Sequence, residues 1–169
     1  NGTSMCSSCE PGKYSSDLGA TSCLACQVGK ATTGSGQASC QGCVAGRFAN
    51  TTGLQTCDTC PPGTFQVNMG QSVCAQCPVG YFSGAPSATG CSPCGLGRYA
   101  DTNGTSVCSQ CQPGFFQPST GKATCQPCEP GTATTAIGAQ ACTACLAGTI
   151  TNSTGSTDCV QCPLGTYQN

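Results

Sequence analysis

Residues 6–26 read CSSCEPGKYSSDLGATSCLAC: a C-x-x-C pair, a Pro-Gly step, one ring at Tyr14, a second glycine at Gly19 and another C-x-x-C pair. The pattern then continues without insertion or deletion. First cysteines stand 17 residues apart at Cys6, Cys23, Cys40, Cys57, Cys74, Cys91, Cys108, Cys125, Cys142 and Cys159. Each is followed three residues later by a second: Cys9, Cys26, Cys43, Cys60, Cys77, Cys94, Cys111, Cys128, Cys145 and Cys162. A fixed period of this kind marks a repeat architecture. We number the repeats 1 to 10 from these first cysteines.

Other positions keep the same period. Six residues after the first cysteine all ten repeats carry glycine, from Gly12 to Gly165. Thirteen residues after it stands a second glycine, from Gly19 to Gly155, replaced in repeat 5 by Ser87. The pattern predicts two tight turns per repeat with φ > 0, where glycine carries no steric cost. Pro-Gly at Pro11, Pro62, Pro113 and Pro130 predicts type II turns. All nine aromatics lie seven or eight residues after a first cysteine. They predict a core made of a ladder of rings and sulfurs, rather than a ring stripe for ligands. No helical period survives glycine and proline at this density. Short extended pieces are expected around each ring and before each first cysteine, giving one small hairpin per repeat.

Composition agrees. Of 169 residues, 20 are Cys, 24 Gly and 11 Pro, and 7% are charged. Cysteine at this level marks a disulfide scaffold, because Leu, Ile, Val and Phe are too few to fill an ordinary core. The expected fold class is small and disulfide-rich, mostly irregular with short β-hairpins, drawn out into an elongated rod or solenoid of ten 17-residue repeats. Residues 1–5 read as the tail of a preceding repeat, 6–158 as nine complete repeats and 159–169 as a truncated tenth, so the chain reads as a fragment of a longer one.

A weaker 51-residue period groups the repeats in threes. GRFANTTG, GRYADTNG and GTITNSTG occur in repeats 3, 6 and 9, and GTFQ, GFFQ and GTYQ in repeats 4, 7 and 10. N-glycosylation sequons follow it at Asn1, Asn50, Asn103 and Asn152. Recurrence in one loop is stronger evidence than a single match. If three repeats complete one turn, the glycans form one stripe.

Sequons and regular cysteines together imply an oxidising, extracellular or cell-surface setting. The period favours joining the second cysteine of each repeat to the first of the next: Cys9–Cys23, Cys26–Cys40, Cys43–Cys57, Cys60–Cys74, Cys77–Cys91, Cys94–Cys108, Cys111–Cys125, Cys128–Cys142 and Cys145–Cys159. The rival scheme, first to first and second to second, has period 34 and would give different roles to repeats three apart, which are the most alike. Four-cysteine zinc sites have a similar spacing, but an unbroken array offers no natural grouping into fours.

The units C-x-x-C-x-P-G-x-[YF]-S with G-x-x-x-C downstream, best seen at residues 6–26 and 57–77, resemble ephrin-receptor-like cysteine-rich tandem repeats. These belong to the growth-factor-receptor cysteine-rich group. The resemblance implies an extracellular disulfide scaffold. Long arrays of this kind occur in protist and algal surface and flagellar-hair glycoproteins.

Net charge −1 with five scattered cations excludes a nucleic-acid-binding surface. No apolar run is long enough to span a membrane. With no His and six dispersed acids, Glu10, Asp17, Asp58, Asp101, Glu129 and Asp158, no catalytic constellation forms and no cofactor or metal is expected. The chain therefore reads as a non-enzymatic structural glycoprotein building a filament, sheath or appendage. Its partners would be other copies or neighbouring segments, and it would carry covalent glycans. The alternative is a receptor or adhesion ectodomain, with divergent repeat 5 as its candidate site.

Overall fold

The computed structural model of the chain describes residues 5–166. Among them, eighteen two-residue strands pair antiparallel into nine hairpins. In the first, β1 (Lys13–Tyr14) pairs β2 (Leu24–Ala25) with Tyr14 opposite Leu24. The second strand is therefore the pair of residues inside the next C-x-x-C, not the segment before it as the sequence led us to expect. The reason is local. Lys13 N–H donates to Glu10 O (3.0 Å), closing a turn with Pro11 second and Gly12 third at φ 82°. This is a type II turn, and it leaves Gly12 O facing Cys26 N–H (2.9 Å). The strand partners are thus fixed between that bond and the disulfide.

The hairpins fall into two compact units: residues 1–76 with 85–90, and residues 77–84 with 91–169. Both use one bonding scheme between successive repeats. In the first unit, Gly29 N–H donates to Ala49 O (2.8 Å), Ala49 N–H to Gln71 O (3.1 Å) and Gly53 N–H to Cys26 O (2.8 Å). In the second, Gly80 N–H donates to Ala100 O (2.8 Å), Ala100 N–H to Lys122 O (3.2 Å) and Gly104 N–H to Cys77 O (2.8 Å). The residue nine after each first cysteine therefore accepts from the repeat before it and donates to the repeat after it. We call it the spine position.

Repeats also touch the next but one. A β-carbon on Gly12 or Gly29 would collide with the carbonyl of Gly53 or Gly70. In the second unit, Gly80, Gly97 and Gly114 stand likewise against Gly121, Gly138 and Gly155. Successive repeats are therefore held not only to their neighbours but also to the next but one. At these positions the first glycine of a repeat is required twice, by its positive φ and by this approach. The second glycine is required by φ alone, and at repeat 5 Ser87 adopts φ 60° in its place.

This crowding decides the core. The side chains with almost no exposure are the second cysteines Cys26, Cys43, Cys60, Cys77, Cys94, Cys111 and Cys128, together with Ala49, Ala100 and Gln117. The expected ladder of rings is not the core. Tyr14, Phe48, Phe65, Phe82, Tyr99 and Phe116 are only half-buried, and Phe82 packs on a cluster of Cys94, Ala100 and Cys108. Where backbones approach within hydrogen-bonding distance, a spine side chain must be small or must satisfy its own polar atoms. Rings are displaced outward onto the disulfides.

The 51-residue period extends to the spine. Gln66 and Gln117 occupy the spine in repeats 4 and 7. Gln66 Nε2 donates to Val73 O (2.8 Å), and its Oε1 accepts from Asn68 N–H (3.0 Å). Gln117 repeats both bonds with Thr124 O (2.6 Å) and Ser119 N–H (3.1 Å). Each glutamine stands in for backbone partners inside its own loop, so no buried side-chain N or O is left without a partner among the described residues. In repeats 3 and 6 the spine is alanine, and Arg47 and Arg98 reach the carbonyls of Cys57 and Cys108 instead (3.0 and 3.1 Å).

Two outcomes follow for denaturation with disulfides intact. Gly97→Ala should cost about 3 kcal/mol or more, whereas Gly19→Ala, at φ 74° with no atom near its would-be β-carbon, should cost about 1–2 kcal/mol. Gln117→Ala should cost about 2–3 kcal/mol and raise hydrogen exchange at Ser119, because it empties a filled site and leaves that N–H unpaired.

Candidate functional site

The structure joins the second cysteine of each repeat to the first of the next. Nine disulfides run from Cys9–Cys23 to Cys145–Cys159, with Cα–Cα distances of 5.7–5.8 Å. Each closes one hairpin loop. Cys6 and Cys162 are in no disulfide. With the other cysteines paired, no group of His, Cys, Asp and Glu that could hold a metal ion exists among the described residues. The cysteines that a zinc site would need are taken up in disulfides.

The sequon loops lie at the hairpin tips. Asn50, Asn103 and Asn152 are all exposed, and Asn1 lies outside the described residues. The loops are braced although they are exposed. Gly53, Gly104 and Gly155, three residues or fewer after the asparagines, each donate N–H to a second-cysteine carbonyl of the preceding repeat (2.8, 2.8 and 2.7 Å). Thr105 Oγ1 donates to Thr102 O (2.9 Å) and Ser156 Oγ to Ser153 O (2.7 Å). Asn103 Oδ1 accepts from Val79 N–H (3.1 Å). That bond uses the carboxamide oxygen and not Nδ2, the atom a glycan would occupy.

The six acids are all exposed and are not brought together. One ion pair, Lys13–Glu10 at 3.1 Å, is found among the described residues, and as an exposed pair it adds little. Among the described residues no helix is long and apolar enough to cross a membrane. The spine position was missed in the sequence. Its signal was present as the series Thr32, Ala49, Gln66, Ser83, Ala100, Gln117, Thr134 and Thr151, which are small or polar residues just after the rings.

A family model described as tyrosine-protein kinase ephrin type A/B receptor-like matches residues 46–94, 97–145 and 119–158. The chain belongs to the ephrin-receptor-like cysteine-rich family. No curated protein sequence matches it. Ephrin-receptor-like repeats stapled by tandem disulfides point to an extracellular or secreted location.

Each closed loop stabilises by about 3 kcal/mol in the chain-entropy model. A thiol reductant should therefore abolish hydrogen-exchange protection at spine amides such as Ala49 and Ala100, while a zinc chelator leaves it unchanged. Loss of protection with the chelator alone would show that metal, not sulfur, holds the fold.

Proposed function

We propose that this ephrin-receptor-like array is a non-enzymatic extracellular structural glycoprotein. It would be one segment of a disulfide-stapled rod that builds a filament, sheath or cell-surface appendage. The observation that supports this most is uniformity. The same turn, spine bonds and disulfide recur from repeat to repeat, so added repeats lengthen the array without a new kind of contact. Repeat 5, the candidate binding site of a receptor reading, gives that reading no support: Ser87 takes up the glycine conformation, and its N–H donates to Cys60 O (2.9 Å) like its counterparts. In this proposal Asn1, Asn50, Asn103 and Asn152 carry the glycans that keep a nearly uncharged surface soluble. A turn of three repeats would gather them in one stripe.

Enzymatic release of N-glycans in heavy-oxygen water, followed by mass spectrometry of the secreted protein, should mark Asn50, Asn103 and Asn152 as aspartate. Electron microscopy of the native material should show filaments with sugar density at these loops. A monomeric stalk carrying a ligand-binding domain would sink the structural reading, and unmarked asparagines would remove the glycans from it.

A further inference from the structure

Within the second unit, an open cleft of about 280 Å³ lies between the hairpins of repeats 6 and 7, lined by Tyr99, Asp101, Gln112, Phe115, Thr124 and Cys125. The same junction in the first unit, between repeats 1 and 2, has a smaller hollow of about 90 Å³ lined by Tyr14, Gln27, Lys30, Ser39 and Cys40. Five of the six positions correspond, with Lys30 where Phe115 stands, and Asp101 has no counterpart in the smaller hollow. By sequence, no other junction combines two rings with a carboxylate at these positions.

The cleft is prepared for a positive group. Phe115 is 39% exposed, so its ring offers a face to solvent. Pro127 is its cross-strand partner, and a β-carbon on Gly155 would lie 3.7 Å from Phe115 Cζ, so the ring edge borders that turn. Tyr99 adds a second ring. Ring faces attract cations, and Asp101 places a carboxylate beside them with no cationic partner among the described residues. The neighbouring cation, Arg98, is held on Cys108 O (3.1 Å) and does not line the cleft.

We propose that this cleft receives a lysine or arginine side chain of a partner protein. The aliphatic stem would lie against Tyr99 and Phe115. The charged head would meet Asp101, with the Gln112 carboxamide oxygen as a second acceptor. The volume suits one long side chain. The site is independent of whether the array builds a filament, because it depends on one junction and not on the period.

The test is a nuclear magnetic resonance titration of the intact, isotope-labelled chain with Nα-acetyl-lysinamide, Nα-acetyl-argininamide and, as a neutral rival, N-acetylglucosamine. A cationic probe should give saturable shifts at the amides of Asp101, Gln112, Phe115 and Thr124 and none at Gln27 and Ser39. Phe115→Thr is expected to fold, because Thr64, Thr132 and Thr149 occupy the same position in other repeats. That variant and Asp101→Asn should each weaken binding roughly fivefold or more. No saturable shift, equal or tighter binding of the neutral sugar, or unchanged affinity in both variants overturns the proposal.

Discussion

In repeats 1, 2, 3, 5, 6 and 7 the backbone turns at a point where a backbone carbonyl two repeats further on lies too close for a β-carbon. Gly97 against the carbonyl of Gly138 is one instance, and Gly12 against Gly53 another. This approach organises what surrounds it. It demands glycine at the turn, and the turn aims the glycine N–H at the spine carbonyl of the following repeat. With backbones so near one another, little room remains for side chains. The buried positions hold cysteine, alanine, serine, threonine or a self-satisfied glutamine, not the aliphatic residues of an ordinary core.

The disulfides complete what so little apolar burial leaves undone. A chain with few large aliphatic residues gains too little from removing them from water to offset the entropy of ordering its backbone. Cross-linking the unfolded chain at each hairpin lowers that entropy at the source. The division of labour is visible within one repeat. In repeat 2 the second cysteine, Cys26, is fully buried, its carbonyl bonded to Gly53 N–H of the next repeat, while the first, Cys23, is half-buried at the hairpin.

At the spine, variation is limited to small side chains or glutamine, and it is freer at outward positions. The sequon loops, the residues inside each C-x-x-C and the ring positions face outward and differ between repeats. The framework tolerates even Ser87, which occupies a glycine conformation because only φ, and no close carbonyl, constrains that site from its own side. An array built in this way can change its surface one repeat at a time. Asparagines at three hairpin tips and the pairing of Tyr99 with Phe115 and Asp101 at one junction are surface features of this kind.

Much of this was legible in the sequence. The period, the type II turns, the two positive-φ positions and the favoured cysteine pairing are local or strictly periodic, so glycine, proline and cysteine spacing reveal them directly. Three things were decided only by tertiary structure. The second strand of each hairpin lies inside C-x-x-C, because Gly12 O and its equivalents face Cys26 N–H and its equivalents there. The core belongs to the second cysteines and the spine and not to the rings, because contacts between a repeat and the next two leave space for small side chains or for a glutamine that bonds within its own loop. The glutamines of GTFQ and GFFQ acquire a role only when Gln66 and Gln117 are seen to bond across their own loops. Spacing along a chain reports what neighbours in sequence must do. How closely distant backbones approach is set by packing, and that approach chose the residues of the core.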